Sequence, residues 1–138
     1  MSRRSPIKTL LRVAELQEAV ARGNAGRALA ATHAASSSLA AAEAHLASAG
    51  LAGGSRQALE TTTQVRILRA SAVATAGAAL AEAEAAQTTA VAGWTDSRRR
   101  HRLFEELAAR QRSEALAGQE KTAQRLADDL AGLRRGQQ

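Results

Sequence analysis

The sequence predicts an all-α protein, a long two-helix antiparallel coiled-coil hairpin whose longer second helix overhangs the first. Three observations predict it. Alanine fills 36 of the 138 positions, and Leu, Arg, Glu and Gln supply much of the rest; these residues lose least on entering a helix. There is one Pro, at position 6, and one glycine cluster dense enough to stop a helix, at 50–54. One Phe, one Trp and no Tyr leave little to fill a thick core, which excludes a β-protein or a doubly wound α/β enzyme.

The first helix is predicted over about 6–48. Ser5 reads as its N-cap and Pro6 as its first residue, where a missing N–H costs nothing. Gly23 and Gly26 weaken it by ~1 kcal/mol each relative to Ala without ending it. The break comes at 49–55, where Gly50 suits a C-cap and Ser55 can cap the next helix. Position 58 is Ala, so the capping box is incomplete. The second helix then runs over about 56–134 with nothing to stop it before Gly136, and the whole chain, 1–138, reads as a single hairpin. At 1.5 Å per residue the helices measure roughly 65 Å and 118 Å.

The apolar spacing supports a coiled coil. Val73, Leu80, Gln87 and Trp94 recur every seven residues, with Ala76, Ala83 and Val91 between them. Leu116, Gln119, Ala123, Leu126, Leu130 and Leu133 alternate steps of three and four. In the first helix Val13, Leu16 and Val20 start a seam, and Leu39 and Leu46 continue one. The register drifts between blocks, as stutters produce. Alanine in the seam permits close approach but buries little area per residue. Folding back about Gly53 places residue 6 opposite about residue 100. Beyond it, Leu103, Phe104, Leu107, Leu116, Leu126, Leu130 and Leu133 have no partner in the hairpin, and such a stripe calls for another protein or a second copy.

Charge follows the same geometry. Nineteen basic and thirteen acidic side chains leave +6, with a pI of about 11.3. Residues 1–27 carry six basic and two acidic groups, 98–138 ten and six, and 28–97 three and five. The open end of the hairpin is therefore basic and the closed end mildly acidic. A basic protein suits nucleic acid, an anionic membrane or an acidic protein. In Arg98-Arg99-Arg100-His101-Arg102 successive side chains diverge by ~100°, and aromatic stacking partners are lacking, so nucleic acid is the weaker reading. No secretory or membrane-spanning apolar run is present, and a cytoplasmic location is expected, peripheral to the membrane at most.

Nothing points to catalysis. With no Cys there is no disulfide, thiolate site or cysteine nucleophile. His33, His45 and His101 are scattered and read as ordinary surface side chains rather than metal ligands. Glu82 with Glu84 and Asp128 with Asp129 diverge on a helix, and no phosphate-binding glycine loop is present. No enzyme activity, cofactor, metal or small-molecule substrate is expected. Trp94 reads as a seam knob; Gly93-Trp94-Thr95 has the wrong order for the Trp-x-Gly turn of secreted helical hairpins.

The second helix resembles the FliJ family of flagellar type III export proteins. The resemblance rests on Trp94, the basic run after it, Leu103-Phe104-Glu105-Glu106-Leu107-Ala108-Ala109-Arg110-Gln111, Gln119-Glu120-Lys121, and Leu126-Ala127-Asp128-Asp129-Leu130-Ala131. It implies a non-catalytic, stalk-like coiled coil whose termini enter and promote the hexameric export ATPase, with an export gate protein and substrate chaperones as further partners. By analogy the ATPase would be met by Arg3, Arg4, Lys8 and Arg12 with Arg110, Arg112, Lys121, Arg125, Leu126, Leu130, Leu133, Arg134 and Arg135. The gate would be met near Val65, Leu68, Arg69 and Ala72, although the aromatic that the family carries at the start of that patch is absent. Two readings from other classes stand beside this one: a basic coiled coil on nucleic acid or anionic membrane, and a homo-oligomeric scaffold.

Overall fold

The computed structural model describes residues 5–50 and 54–137. Two helices make up nearly all of it, α1 (Pro6–Ala47) and α2 (Arg56–Gly136), antiparallel and unequal at 42 and 81 residues. At the start of α1 the Ser5 carbonyl accepts from the Lys8 N–H at 3.0 Å, the bond expected of a residue in the N-cap position. Ser55 caps α2: its hydroxyl accepts from the Ala58 N–H at 3.3 Å and its carbonyl from the Leu59 N–H at 3.2 Å. Gly50 does not act as a left-handed C-cap; among the described residues only Gly54 has a positive φ, 140°. Instead the Ser48 hydroxyl donates to the His45 carbonyl at 2.8 Å, and Arg69 Nη1 reaches over from α2 to the same carbonyl at 2.7 Å. A guanidinium there satisfies an orphan carbonyl and complements the negative end of the helix dipole.

In α1 the buried and half-buried positions follow an unbroken alternation of four and three. It runs Ile7, Leu11, Ala14, Glu18, Ala21, Ala25, Ala28, Thr32, Ala35, Leu39, Ala42, Leu46 and on to Ala49 just past the helix end, with Gly23 the one half-buried residue of α1 off this line. Every seventh residue from Ala14 to Ala49 is alanine. Val13, Leu16 and Val20, expected to start the seam, are exposed instead. Their stripe continues onto Gly23 and Arg27 and so ends after three residues, whereas the alanine heptad runs the length of the helix. Leu39 and Leu46 do lie in the seam.

The opposing positions of α2 are bulky at one heptad position, with Val73, Leu80, Gln87, Trp94 and His101, and mostly small at the other, with Ala76, Ala83, Ala90, Ser97 and Phe104. Ala90, not Val91, occupies the seam, and Val91 is exposed. One stutter is visible, where Val65, Arg69 and Val73 follow in two steps of four. Outside the seam most of the threonines of α2 return their hydroxyls to the carbonyl four residues back, as Thr75 does to Ser71 at 3.0 Å, which removes their need for an external partner.

The chain divides into two compact units. In Ala19–Asp96, α1 and α2 pair with opposite polarity: the Thr32 hydroxyl lies 3.3 Å from the Ala83 carbonyl, and Leu46 and Ala47 share a groove with Thr63, Ile67 and Ala70. In Met1–Glu18 with Ser97–Gln138 the pairing is again antiparallel, Glu18 meeting His101, and Ile7 and Leu11 lining a groove with Ala108, Gln111 and Ala115. The pairing thus extends beyond the position near residue 100 given by a fold-back about Gly53. The end of α1 lies beside residues 63–70 of α2 rather than beside its start, which moves every later partner toward the C-terminus.

Ala25, 8 % exposed, and the exposed Ala30 make a direct comparison. Ala25→Glu places a carboxylate in the seam and is expected to cost about 2–3 kcal/mol in chemical denaturation, while Ala30→Glu stays within ~0.5 kcal/mol of the parent.

Candidate functional site

Net charge is confined to one unit. Residues 1–18 and 97–138 carry fourteen basic and eight acidic side chains, and residues 19–96 carry five of each. The whole +6 therefore lies in the unit that contains the end of α2. An acidic partner would be drawn to that unit over about a Debye length.

Within it, every residue from Ala109 to Gln137 is exposed. Phe104, Leu107 and Ala108 are half-buried, so the unpaired stretch begins after them rather than at residue 100; Leu103 is exposed. The leucines beyond keep their regular spacing, and Leu126, Leu130 and Leu133 are 60 %, 62 % and 67 % exposed. They do not continue the seam. From His101, Phe104 and Ala108, steps of three and four lead to Gln111, Ala115, Gly118, Thr122, Arg125, Asp129 and Gly132. Leu116, Ala123, Leu126, Leu130 and Leu133 each sit one residue later, about 100° further round the helix. A longer α1 on the same course would still have left them uncovered. The seam and the stripe are two different faces of α2, one packed against α1 and one exposed, a division hidden in the spacing because both share the same 3–4 alternation.

The basic residues expected at this surface are only partly gathered. Lys8 and Arg112 line one shallow groove together with Ser5, Ile7, Leu11, Ala108, Gln111 and Ala115. Arg12 lies beside Lys8 on α1, next to Glu15. Arg110, Lys121, Arg125, Arg134 and Arg135 are exposed on α2, the last four on the stretch past Gln111. Arg3 and Arg4 lie outside the described residues. Leu10, Val13 and Leu16 add an exposed apolar face on α1, although the spacing predicts Val13 and Leu16 in the seam.

The four residues expected near the turn divide between two environments. Val65 and Arg69 are half-buried on the seam side, where Arg69 also meets the Ser48 hydroxyl at 3.3 Å. Leu68 and Ala72 are exposed, beside the exposed Ile67. Arg69 closes the end of α1 and is not a free surface cation.

His101 departs from an ordinary surface histidine. Its side chain is 17 % exposed, and its Nδ1 hydrogen-bonds Glu18 Oε2 across the seam. Its Nε2 faces Glu105 Oε1 at 3.4 Å, four residues on along α2, and Glu15 Oε1 at 3.9 Å. The other members of the run, Arg98, Arg99, Arg100 and Arg102, are exposed and dispersed, as expected. Trp94 is a half-buried seam residue. Among the described residues no group of three or more His, Asp or Glu side chains is placed to hold a metal ion; the carboxylates stand on opposite edges of the ring. The sequence signal for this clasp was the occurrence of Glu18 and His101 at heptad positions held mainly by small or apolar side chains. Polar pairs at such positions set register. His101→Ala removes the cross-helix partner of the Glu18 carboxylate, 8 % exposed, and is expected to cost ~1 kcal/mol in thermal or chemical unfolding; a double-mutant cycle of His101→Ala with Glu18→Ala is expected to show a coupling of at least ~0.5 kcal/mol.

Searches of curated proteins and of solved structures returned no match. The family model described as Flagellar FliJ protein matches residues 3–138, essentially the full length. The unequal helical hairpin and its basic, leucine-bearing end are what the resemblance in α2 implied, and the chain belongs to the FliJ family, non-enzymatic components of the flagellar protein export apparatus.

Proposed function

We propose that this protein is a stalk-like coiled coil that engages the hexameric export ATPase and promotes its activity through the unpaired stretch of α2. The observation that carries the reading is that stretch itself: an exposed leucine stripe beyond the reach of α1, in the unit that holds the entire net positive charge. A single helix is about 10–12 Å across, about half the width of a helix pair, so the unpaired stretch can enter a central channel that would exclude the hairpin. Lys8, Arg12, Arg110 and Arg112, with Arg3 and Arg4 in the same unit, would meet acidic groups at the channel mouth, and Lys121, Arg125 and Arg134 would meet those deeper in, around Leu126, Leu130 and Leu133. The mechanism is one of shape and differential binding: a helix that fits the assembled ring better than the free subunits shifts the equilibrium toward the ring.

Contacts with the export gate belong to the same reading, and the burial pattern narrows them. Of the four residues near the turn only Leu68 and Ala72, joined by Ile67, present a surface; Val65 and Arg69 support it from the seam. Substrate chaperones are further partners in this reading. A cytoplasmic site of action, with docking at the inner face of the membrane, fits a chain in which no helix among the described residues is long and apolar enough to cross a bilayer. A reading as a basic coiled coil on nucleic acid or anionic lipid has less support, since the arginines at 98–102 disperse around the helix.

The test is ATP turnover by the cognate hexameric ATPase with and without the full-length chain. Turnover is expected to rise, and removal of residues 112–138 to abolish the rise while the helicity of the paired region persists. Leu126→Asp with Leu130→Asp is expected to raise the concentration for half-maximal stimulation at least ~10-fold, equivalent to about 1.4 kcal/mol. Unchanged turnover with the full-length chain, together with salt-sensitive binding to DNA or anionic vesicles, would overturn the reading in favour of the basic coiled coil.

A further inference from the structure

The unpaired stretch carries a second kind of complementarity, to itself. Leu116, Ala123 and Leu130 recur every seven residues, and Gln119, Leu126 and Leu133 follow each of them by three. These are the a and d positions of three consecutive heptads, all exposed. In that frame Asp129 is a g residue and Arg134 the e residue five positions later, the relation that joins two chains side by side in a parallel coiled coil. The remaining flanking positions are Ala115, Glu120, Thr122, Ala127 and Gly136, so a parallel pair brings Asp129 against Arg134 twice and sets no like charges opposite one another. An antiparallel pair in full overlap would face Asp129 with Thr122 and forgo both ion pairs. Because this face is turned about 100° from the line of His101, Phe104 and Ala108, two copies can meet along it without opening the pairing of α1 with α2 in this unit.

We propose that residues 116–133 form a parallel two-stranded coiled coil with the same segment of a second copy of this chain, held in register by reciprocal Asp129–Arg134 pairs. Three heptads with Ala and Gln in two of their six layers bury less than the ~1,200 Å² of a standard interface, so the dimer is weak and dissociates on dilution. The stripe that pairs is the one assigned above to the ATPase, so the dimer withholds the chain from that partner. The self-pairing itself rests on this chain alone, and its test uses no other protein.

Sedimentation equilibrium of the full chain is run at low ionic strength from about 5 to about 500 μM, the range in which weak pairs form. The weight-average mass is expected to rise from 14.3 kDa toward twice that value. Asp129→Arg alone should raise the dissociation constant roughly 3- to 10-fold, and Asp129→Arg with Arg134→Asp should restore it. Position 137 continues the a series, and the chain has no native cysteine, so Gln137→Cys should cross-link the two copies under oxidation at the concentrations where the mass rises. All the substituted positions are exposed, and circular dichroism reports whether helicity is kept. A mass that stays at the monomer value, an association indifferent to the charge swap, or one that leaves Gln137→Cys uncross-linked would each overturn the proposal.

Discussion

The structure depends on the closeness of two helices. Alanine at every seventh position from Ala14 to Ala49 leaves one of the two seam positions of each α1 heptad with no side chain beyond Cβ, and small residues there let the α2 backbone approach closely, as Thr32 reaching the Ala83 carbonyl shows. Much of the side-chain bulk at the seam comes from α2 as Val73, Leu80, Gln87, Trp94, His101 and Phe104, and α1 adds Ile7, Leu11, Leu39 and Leu46. Only Ala14, Ala25, Ala49 and Glu18 fall in the buried class among the described residues. An interface this thin contributes little per residue, so a few positions that are not alanine carry much of the specificity: Thr32 across to Ala83, Arg69 onto the end of α1, and Glu18 against His101.

The same constraint explains where function can reside. Among the described residues the grooves are shallow and open, lined by side chains of the two helices. What remains is surface. Here the surface is sorted: charge is balanced in one unit and strongly positive in the other, and the large exposed leucines of α2 continue past the last pairing with α1. The turn from the His101–Phe104–Ala108 line to the Leu116–Leu133 line gives one continuous helix two faces, one packed against its own chain and one exposed. Membership of the FliJ family places the chain in the flagellar protein export apparatus.

Much of this was legible in the residues, and the misreadings share a cause. Pro6, Ser55 and the glycines at 50–54 marked the helix ends to within two residues, because capping and breaking are local chemistry. The seam of α1 was misplaced because hydrophobicity was followed where size decided: Val13, Leu16 and Val20 are the more apolar residues, but Ala14, Ala21 and Ala25 form the face that continues. A symmetric fold-back about Gly53 overstates the length of the unpaired stretch because Leu46 and Ala47 lie beside residues 63–70 rather than beside the start of α2. His101 was assigned to the surface because its partners include two glutamates 83 and 86 residues away, a proximity that only the pairing creates.

The central claim is that α2 is one helix with two separate partners, its own α1 up to about Gln111 and the export ATPase beyond. Amide hydrogen exchange resolved along α2, on the dilute chain and again with saturating ATPase, tests it most directly. The account predicts slow exchange from Val73 to Leu107 in both samples, and fast exchange from Arg112 to Gly136 that becomes slow only when the ATPase is present. Protection of 112–136 in the dilute chain alone, or no change there with the ATPase while 73–107 responds instead, would contradict it.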